Sequence, residues 1–131
     1  MKTVTKWLGE HLFESEHEGN KISVDGNKKK GHGPKALLLS ALAGCSAIDV
    51  VDILGKMRVE FSDFTIVVET TQTEEHPKVF KDIHAKFSLK TDPANEDKVR
   101  KAIELSLEKY CGVSAMLRKH SKIDYTLEIL N

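Results

Sequence analysis

The sequence predicts an α+β fold in which two helices pack on antiparallel strands, in the order β-β-β-α-β-β-α-β. An apolar run over residues 34–54 has the length of a helix, and segments on both sides of it alternate apolar and polar residues, as strands do. Residues 96–110 repeat their apolar side chains at helical spacing. At 131 residues the chain has the size of one domain, 1–131, which can bury a core without a disulfide or a metal.

The first 25 residues predict short strands. Their apolar pieces are Leu12-Phe13 and Ile22-Ser23-Val24, and residues 18–21 carry turn chemistry between them. Residues 25–33 follow and predict a mobile basic loop whose three lysines lie in solvent.

The same loop has part of the spacing of a phosphate-binding motif. Gly26 and Gly31 stand at the right distance, but His32 and Gly33 occupy the positions where the motif needs Lys and Ser or Thr. We therefore exclude nucleotide binding at this loop.

The central run predicts a helix that is buried all round. Pro34 suits its first turn, and Gly55 suits the position just past its end. Apolar residues fall on every side of the helical wheel, which is typical of a buried helix. A membrane span is the alternative, but Ser40, Asp49 and Asp52 interrupt the run, and each Asp would cost about 2.5–3.5 kcal/mol near a bilayer centre. We interpret the run as a core helix, and we expect both Asp residues to lie where its second half emerges from the core.

The segment after this helix predicts a hairpin with one buried face. Residues 64–69 and 83–89 alternate in polarity, and residues 73–77 form the turn between them. Residues 123–129 alternate in the same way and predict the last strand. The positions expected to face inward are Phe64, Ile66, Val68, Ile83, Ala85, Phe87 and Leu89.

A second, amphipathic helix is predicted between the hairpin and the last strand. Asp92 or Asn95 could cap it. Cys111 lies at its end, Gly112 breaks or bends it, and residues 113–117 can form another helical turn. Its inward face is predicted to carry Val99, Ala102, Ile103, Ser106 and Tyr110.

Composition excludes several classes of function. Twenty basic residues balance twenty acidic ones, so nothing steers the chain generally toward nucleic acid or an anionic membrane. The N-terminus has no apolar signal region, which predicts a cytoplasmic location. Because no His-x-x-x-His or Cys-x-x-Cys pair exists, we expect no metal site.

The two cysteines are the candidate reactive residues. A free Cys is often an inert, buried thiol, and Cys45 lies in an apolar helix where burial is easy. However, the chain holds one cysteine in each predicted helix, each beside glycine or another small residue. If the helices pack together, Cys45 and Cys111 could meet, one attacking a substrate and the other resolving the product as a disulfide.

Two stretches resemble one known family. Residues 33–45, which end at Cys45, look like the central-helix motif of the OsmC/Ohr family, and residues 109–114, around Cys111, look like its second-cysteine motif. The order of elements and the His76-Pro77 turn match as well. The resemblance implies an intertwined homodimer with active sites at the subunit interface.

It also implies that Cys45 attacks an organic hydroperoxide in oxidative-stress defence, that Cys111 resolves the sulfenic acid, and that a dithiol reduces the enzyme without an external cofactor. Peroxidases of this family carry a glutamate ten residues before the reactive cysteine, where this chain has Lys35, and use an arginine from the N-terminal strands. This chain has no arginine before Arg58. Lys35, His32 or Lys6 could supply the missing activating cation.

Two alternatives remain open. An apolar interface pocket near Cys45 could hold a small apolar ligand without turning it over, as a binding protein does. Alternatively, the protein could be a structural dimer whose thiols are inert.

Overall fold

The computed structural model describes all 131 residues and has the predicted α+β fold, with two three-stranded sheets and three helices. The predicted order of elements is confirmed. The strands are β1 (Val4–Gly9), β2 (Leu12–His17), β3 (Asn20–Asp25), β4 (Ser62–Gln72), β5 (Phe80–Lys90) and β6 (Ile123–Leu130); the helices are α1 (Pro34–Lys56), α2 (Glu96–Leu105) and α3 (Gly112–Arg118).

The chain forms two compact units, Met1–Leu39 and Ser40–Asn131, and α1 runs from the first into the second. The prediction that residues 1–131 act as a single domain therefore stays a prediction. Each unit holds one of the two sheets, and both cysteines belong to the second unit.

The first unit is an antiparallel sheet in the order β1-β2-β3, with one polar and one apolar face. Trp7, Phe13 and Val24 lie opposite one another across the three strands and so share a face with Ile22. The other face is polar, and there Lys21 pairs with Glu14 at 3.7 Å. Trp7 is 65% exposed and Ile22 is also exposed, so this chain leaves the apolar face largely uncovered.

The loop after β3 is ordered by Asp25, which corrects the prediction of a mobile segment. The buried Asp25 carboxylate accepts backbone N–H groups from Asn27 at 2.8 Å, Lys30 at 3.0 Å and Lys29 at 3.2 Å. These hydrogen bonds to Asn27 and Lys30 lower the pKa of Asp25. The backbone donors that a phosphate would need are thus already used by the chain's own carboxylate. The lysines themselves are exposed, as predicted.

The second sheet has the order β4-β5-β6, and one pairing differs from the prediction. β4 and β5 form the expected antiparallel hairpin, but β5 and β6 are parallel. The reason is the helical segment between them, which returns the chain to the same end of the sheet before β6 begins.

The alternation of residues in this sheet is confirmed. Ile83, Ala85, Phe87 and Leu89 are buried along β5, while Lys86 between them is exposed. Buried residues of the helices join them in one core: Leu42, Val50 and Leu54 from α1, and Val99, Ala102 and Ile103 from α2.

The central helix is buried along one stripe, not all round as predicted. The stripe has a spacing of four residues and consists of Leu42, Ser46, Val50 and Leu54. A helix beside one sheet buries only the side that faces its own core, and Ile48 on another side is 64% exposed. By length and composition α1 could also cross a membrane, but the core helix of a protein without a membrane span can share both properties.

The second helical segment is interrupted, as Gly112 suggested. Asp92 caps a short 3₁₀ turn, Pro93–Asn95, by accepting the Ala94 N–H at 2.9 Å, whereas Asn95 makes no side-chain cap. After α2, residues Ser106–Tyr110 form a π-helical turn. Tyr110 was predicted to face inward, but it is exposed, because this wider turn rotates it away from the inward face.

Candidate active site at two cysteines

The structure brings the two cysteines together. Cys45 lies in the middle of α1 and is half-buried, while Cys111 is buried between the π-turn and α3. Both are free thiols, and their side chains are close enough to interact. The role of these two thiols as a working pair stays a prediction.

Cys111 is held by its backbone and by its sulfur. Its N–H donates to the Ser106 carbonyl at 2.8 Å, the bond that closes the π-turn. Its Sγ accepts the Ser114 N–H at 3.3 Å and so caps α3. Burial and, after it, the interaction with the Cys45 side chain together raise the pKa of the Cys111 thiol to about 11.

This pKa predicts slow modification of Cys111 in the folded protein. With a pKa of about 11, roughly one thiol in 10⁴ is ionised at pH 7, against a few per cent for an ordinary Cys, and only the thiolate reacts. We expect Cys111 alkylation by iodoacetamide, followed at each site by mass spectrometry, to rise about tenfold per pH unit between pH 7 and 10. Urea-unfolded protein is the control. A Cys111 rate in the folded protein equal to that control would contradict the burial of this thiol.

A polar cluster beside the cysteines was not predicted from the sequence. The Ser106 hydroxyl, on the π-turn, lies 2.9 Å from Ser46 Oγ and 2.9 Å from Asp49 Oδ2, both on α1. Ser46 directly follows Cys45, and Ser46 and Ser106 are fully buried. Asp49 is half-buried and does not simply emerge into solvent, whereas Asp52 is exposed as predicted. The signal for this cluster was Ser106 itself, a polar residue on an inward face that needs a buried partner.

The π-turn also frees a carbonyl, and two side chains bind it. Leu107 O accepts the Ser114 hydroxyl at 2.8 Å and Arg118 Nη2 at 2.7 Å. Arg118 thus stabilises the turn that carries Cys111. Every fully buried polar side-chain atom of the chain has a hydrogen-bond partner, so this region contains no unsatisfied group.

The other candidate residues, His32 and Lys35, lie in the first unit. His32 precedes α1, is exposed, and its carbonyl accepts the Asp25 N–H at 3.0 Å. Lys35 lies in the first turn of α1 and is also exposed. Their role toward Cys45 stays a prediction. No group of three His, Cys, Asp or Glu side chains is placed to hold a metal ion.

Comparisons with known proteins agree with this fold. A family model described as "OsmC-like protein" matches residues 26–126. Protein YhfA of Escherichia coli K12 is 36% identical over 132 residues, which cover 99% of this chain and 98% of YhfA.

Two solved structures share the fold at lower identity. An OsmC-like protein from Mycoplasma pneumoniae superposes with a TM-score of 0.86 at 17% identity, over 99% of this chain and 96% of that one. The organic hydroperoxide resistance protein OhrB of Bacillus subtilis superposes with a TM-score of 0.64 at 14% identity, over 98% of each chain. With the family model and the YhfA relative, the chain belongs to the OsmC-like protein family.

Proposed function

We propose that this protein reduces organic hydroperoxides through its two thiols in oxidative-stress defence, with Cys45 as the peroxidatic and Cys111 as the resolving residue. The observation that supports this proposal is that the two free thiols of the second unit lie close enough to interact. A family fold shared with an organic hydroperoxide resistance protein supports the substrate class. Free thiols also suit the reducing cytoplasm, where we place the protein.

The proposed cycle balances in three steps. The Cys45 thiolate attacks the peroxide oxygen farther from the organic group; the S–O bond forms, the O–O bond breaks, and the alkoxide takes a proton to leave as an alcohol. The Cys111 sulfur then attacks the Cys45 sulfenic acid; the S–S bond forms, the S–O bond breaks, and water leaves. An external dithiol reduces this disulfide to two thiols and becomes a disulfide itself.

The surroundings of Cys111 favour this division of roles. Because its pKa is about 11, Cys111 keeps its proton at neutral pH and is a poor first nucleophile. In the second step that proton is available to the departing hydroxide, so the product is water. Cys45, half-buried in α1, is the more accessible of the two sulfurs.

Activation of Cys45 is proposed to involve a cation, with Lys35, His32 or Lys6 as the candidates. A cation near a thiolate lowers the thiol pKa and raises the reactive fraction. Lys35 lies ten residues before Cys45 on the same helix, about 15 Å along its axis, so it would act by reaching back or across a dimer.

Lys35→Met tests this role. If Lys35 activates Cys45, the variant is expected to slow Cys45 alkylation at pH 7 by about tenfold, the effect of one pKa unit. Lys56→Met, at the other end of α1, is the matched control and should leave the rate unchanged. Equal rates for wild type and Lys35→Met would remove Lys35 from the mechanism and leave His32 and Lys6 as the candidates.

We further propose that the protein is a homodimer that covers its exposed apolar faces. One such face is that of Trp7 and Ile22 in the first sheet, and another is the side of α1 that carries Ile48 and Val51. Exposed apolar areas of this kind are typical of interaction sites. Covering them would also explain why a helix that is apolar on all sides is buried along one stripe in a single chain.

Trp7→Lys is expected to convert the dimer to a monomer, because a charge would be buried in the interface. Val4→Lys is the control: Val4 is equally exposed, but it lies on the polar face, opposite Glu16. Light scattering after size exclusion should give twice 14.7 kDa for wild type and Val4→Lys, and 14.7 kDa for Trp7→Lys. A wild-type mass of 14.7 kDa would contradict the dimer.

The activity itself is tested by a peroxide-consumption assay with dithiothreitol as the reductant. We expect cumene hydroperoxide to be consumed catalytically, and faster than hydrogen peroxide. If neither peroxide is consumed, native mass spectrometry of the purified protein decides between the alternatives. An apolar ligand that co-purifies would indicate a binding protein, and its absence would indicate a dimer with inert thiols.

A further inference from the structure

We propose that Ser106 and Asp49 are positioning residues that hold Cys111 beside Cys45, with the π-turn Ser106–Tyr110 as the element that lets them do so. The biological role of this positioning rests on the proposed dithiol function. The positioning itself concerns only where the two cysteine side chains lie. Neither side chain belongs to the set of residues that the proposed cycle uses.

The side chains at the two ends of the π-turn, Ser106 and Cys111, both point toward α1. The Ser106 side chain contacts Ser46 and Asp49 of α1, and the Cys111 side chain interacts with Cys45 of α1. In an α-helix, five residues correspond to about 500° of rotation, so Ser106 and Cys111 would point about 140° apart. The π-turn closes a hydrogen bond over this interval, from Cys111 N–H to Ser106 O, and both side chains then face α1.

The contact of Ser106 with Ser46 and Asp49 anchors the π-turn to α1. A π-turn is rare and is found mostly at functional sites, so a specific contact is needed to explain its register. The Ser106 hydroxyl supplies one, because it lies at hydrogen-bond distance from both Ser46 and the Asp49 carboxylate at full burial. Hydrogen bonds to a carboxylate are stronger than those between neutral groups. Ser46 and Asp49 follow Cys45 by one and four residues along α1, so the anchor and the thiol pair are adjacent.

The side of the π-turn away from α1 is bound by α3. Ser114 and Arg118 bind the Leu107 carbonyl, and the Ser114 N–H binds Cys111 Sγ. The turn is thus fixed to α3 on one side and to α1 on the other. The hydrogen bonds from the turn to α1, the helix that carries Cys45, are those of the Ser106 side chain, so we infer that this contact sets the separation of the two sulfurs.

The test compares Ser106→Ala with Ser121→Ala. Ser121 is also buried, and its side chain bonds to the neighbouring His120 at 3.1 Å and not to the π-turn; it lies between α3 and β6. The first readout is the rate of Cys111 alkylation in the folded protein at pH 8. We expect about a tenfold or greater increase in Ser106→Ala, because the thiol loses its fixed buried place, and less than about a twofold change in Ser121→Ala.

Asp49 offers a milder pair of variants in case Ser106→Ala does not fold. Asp49→Ala removes the acceptor and should accelerate Cys111 alkylation in the same direction. Asp49→Asn keeps an acceptor oxygen at the same place and should restore the wild-type rate within about twofold. An Asp49→Ala rate equal to that of wild type would overturn the assignment of Asp49.

The second readout is the equilibrium between dithiol and disulfide in a glutathione buffer. We expect Ser106→Ala to lower the stability of the Cys45–Cys111 disulfide by about tenfold relative to wild type and to Ser121→Ala. If wild type forms no such disulfide, the resolving role of Cys111 fails, while the alkylation readout still decides the positioning. Ser106→Ala alkylation within twofold of wild type, or an equal acceleration in Ser121→Ala, would overturn the inference.

Discussion

Cys45→Ser is expected to lower the rate of hydroperoxide reduction by at least about a hundredfold, since it replaces the attacking sulfur with a much weaker nucleophile. Serine has nearly the same shape, and Cys45 is half-buried, so the fold should be retained. The rate is measured as cumene hydroperoxide consumed in the presence of excess dithiothreitol.

Cys111→Ser is the matched comparison. This variant keeps the first chemical step and loses the second. Without dithiothreitol, which would itself reduce a sulfenic acid, we expect it to consume one equivalent of peroxide rapidly and to leave Cys45 as a sulfenic acid that dimedone traps. The two cysteine variants therefore fail in different ways. Peroxide reduction that persists in Cys45→Ser would exclude Cys45 as the nucleophile.

Phe87→Ala is expected to reduce the free energy of unfolding by about 3–5 kcal/mol, a large part of the stability of a typical domain. Phe87 is fully buried on β5, and its ring packs on Phe64 at 6.4 Å and edge-on against Tyr125 at 6.1 Å between centroids. Alanine would leave a cavity at the centre of the second sheet. Urea unfolding followed by circular dichroism measures the change.

Val67→Ala provides the control, because Val67 lies on β4 with about half of its side chain in solvent, on the face opposite to Phe87. Its loss should change the free energy of unfolding by less than about 1 kcal/mol. Equal losses in the two variants would mean that the inward face of this sheet is not the core of the second unit.

Local patterns predicted most of the fold. The period-two alternation along β5 identified Ile83, Ala85, Phe87 and Leu89 as inward-facing, because burial on one face of a strand leaves a direct trace in the sequence. Gly112 marked the place where the second helix ends, since it follows the break at Cys111. The two cysteines were found as candidates because they are the only ones in the chain and each was predicted to lie in a helix or at its end.

Features that depend on contacts between distant segments could not be predicted. The parallel pairing of β5 with β6 follows from the path of the whole crossover, not from either strand. The order in the loop after β3 comes from one buried carboxylate, Asp25, that a basic composition conceals. The inward face of the second helix was predicted with a period of 3.6, and the π-turn breaks that period, so Tyr110 was misplaced and the anchor at Ser106 was missed.

The burial of α1 could not be predicted from the sequence, for a different reason. An apolar helix predicts burial on all sides, but the sequence does not say whether the cover comes from the same chain. Within one chain only the stripe from Leu42 to Leu54 is buried. The dimer proposed above assigns the rest of the cover to a second copy, and the masses of wild type and Trp7→Lys test it.

The most direct test of the two-thiol mechanism is a count of free thiols after one equivalent of cumene hydroperoxide is added to the reduced wild-type protein. The mechanism predicts that both thiols disappear together within seconds, because oxidation of Cys45 is followed by disulfide formation with Cys111, and that hydrogen peroxide acts more slowly. Two thiols that remain free over many minutes would contradict it.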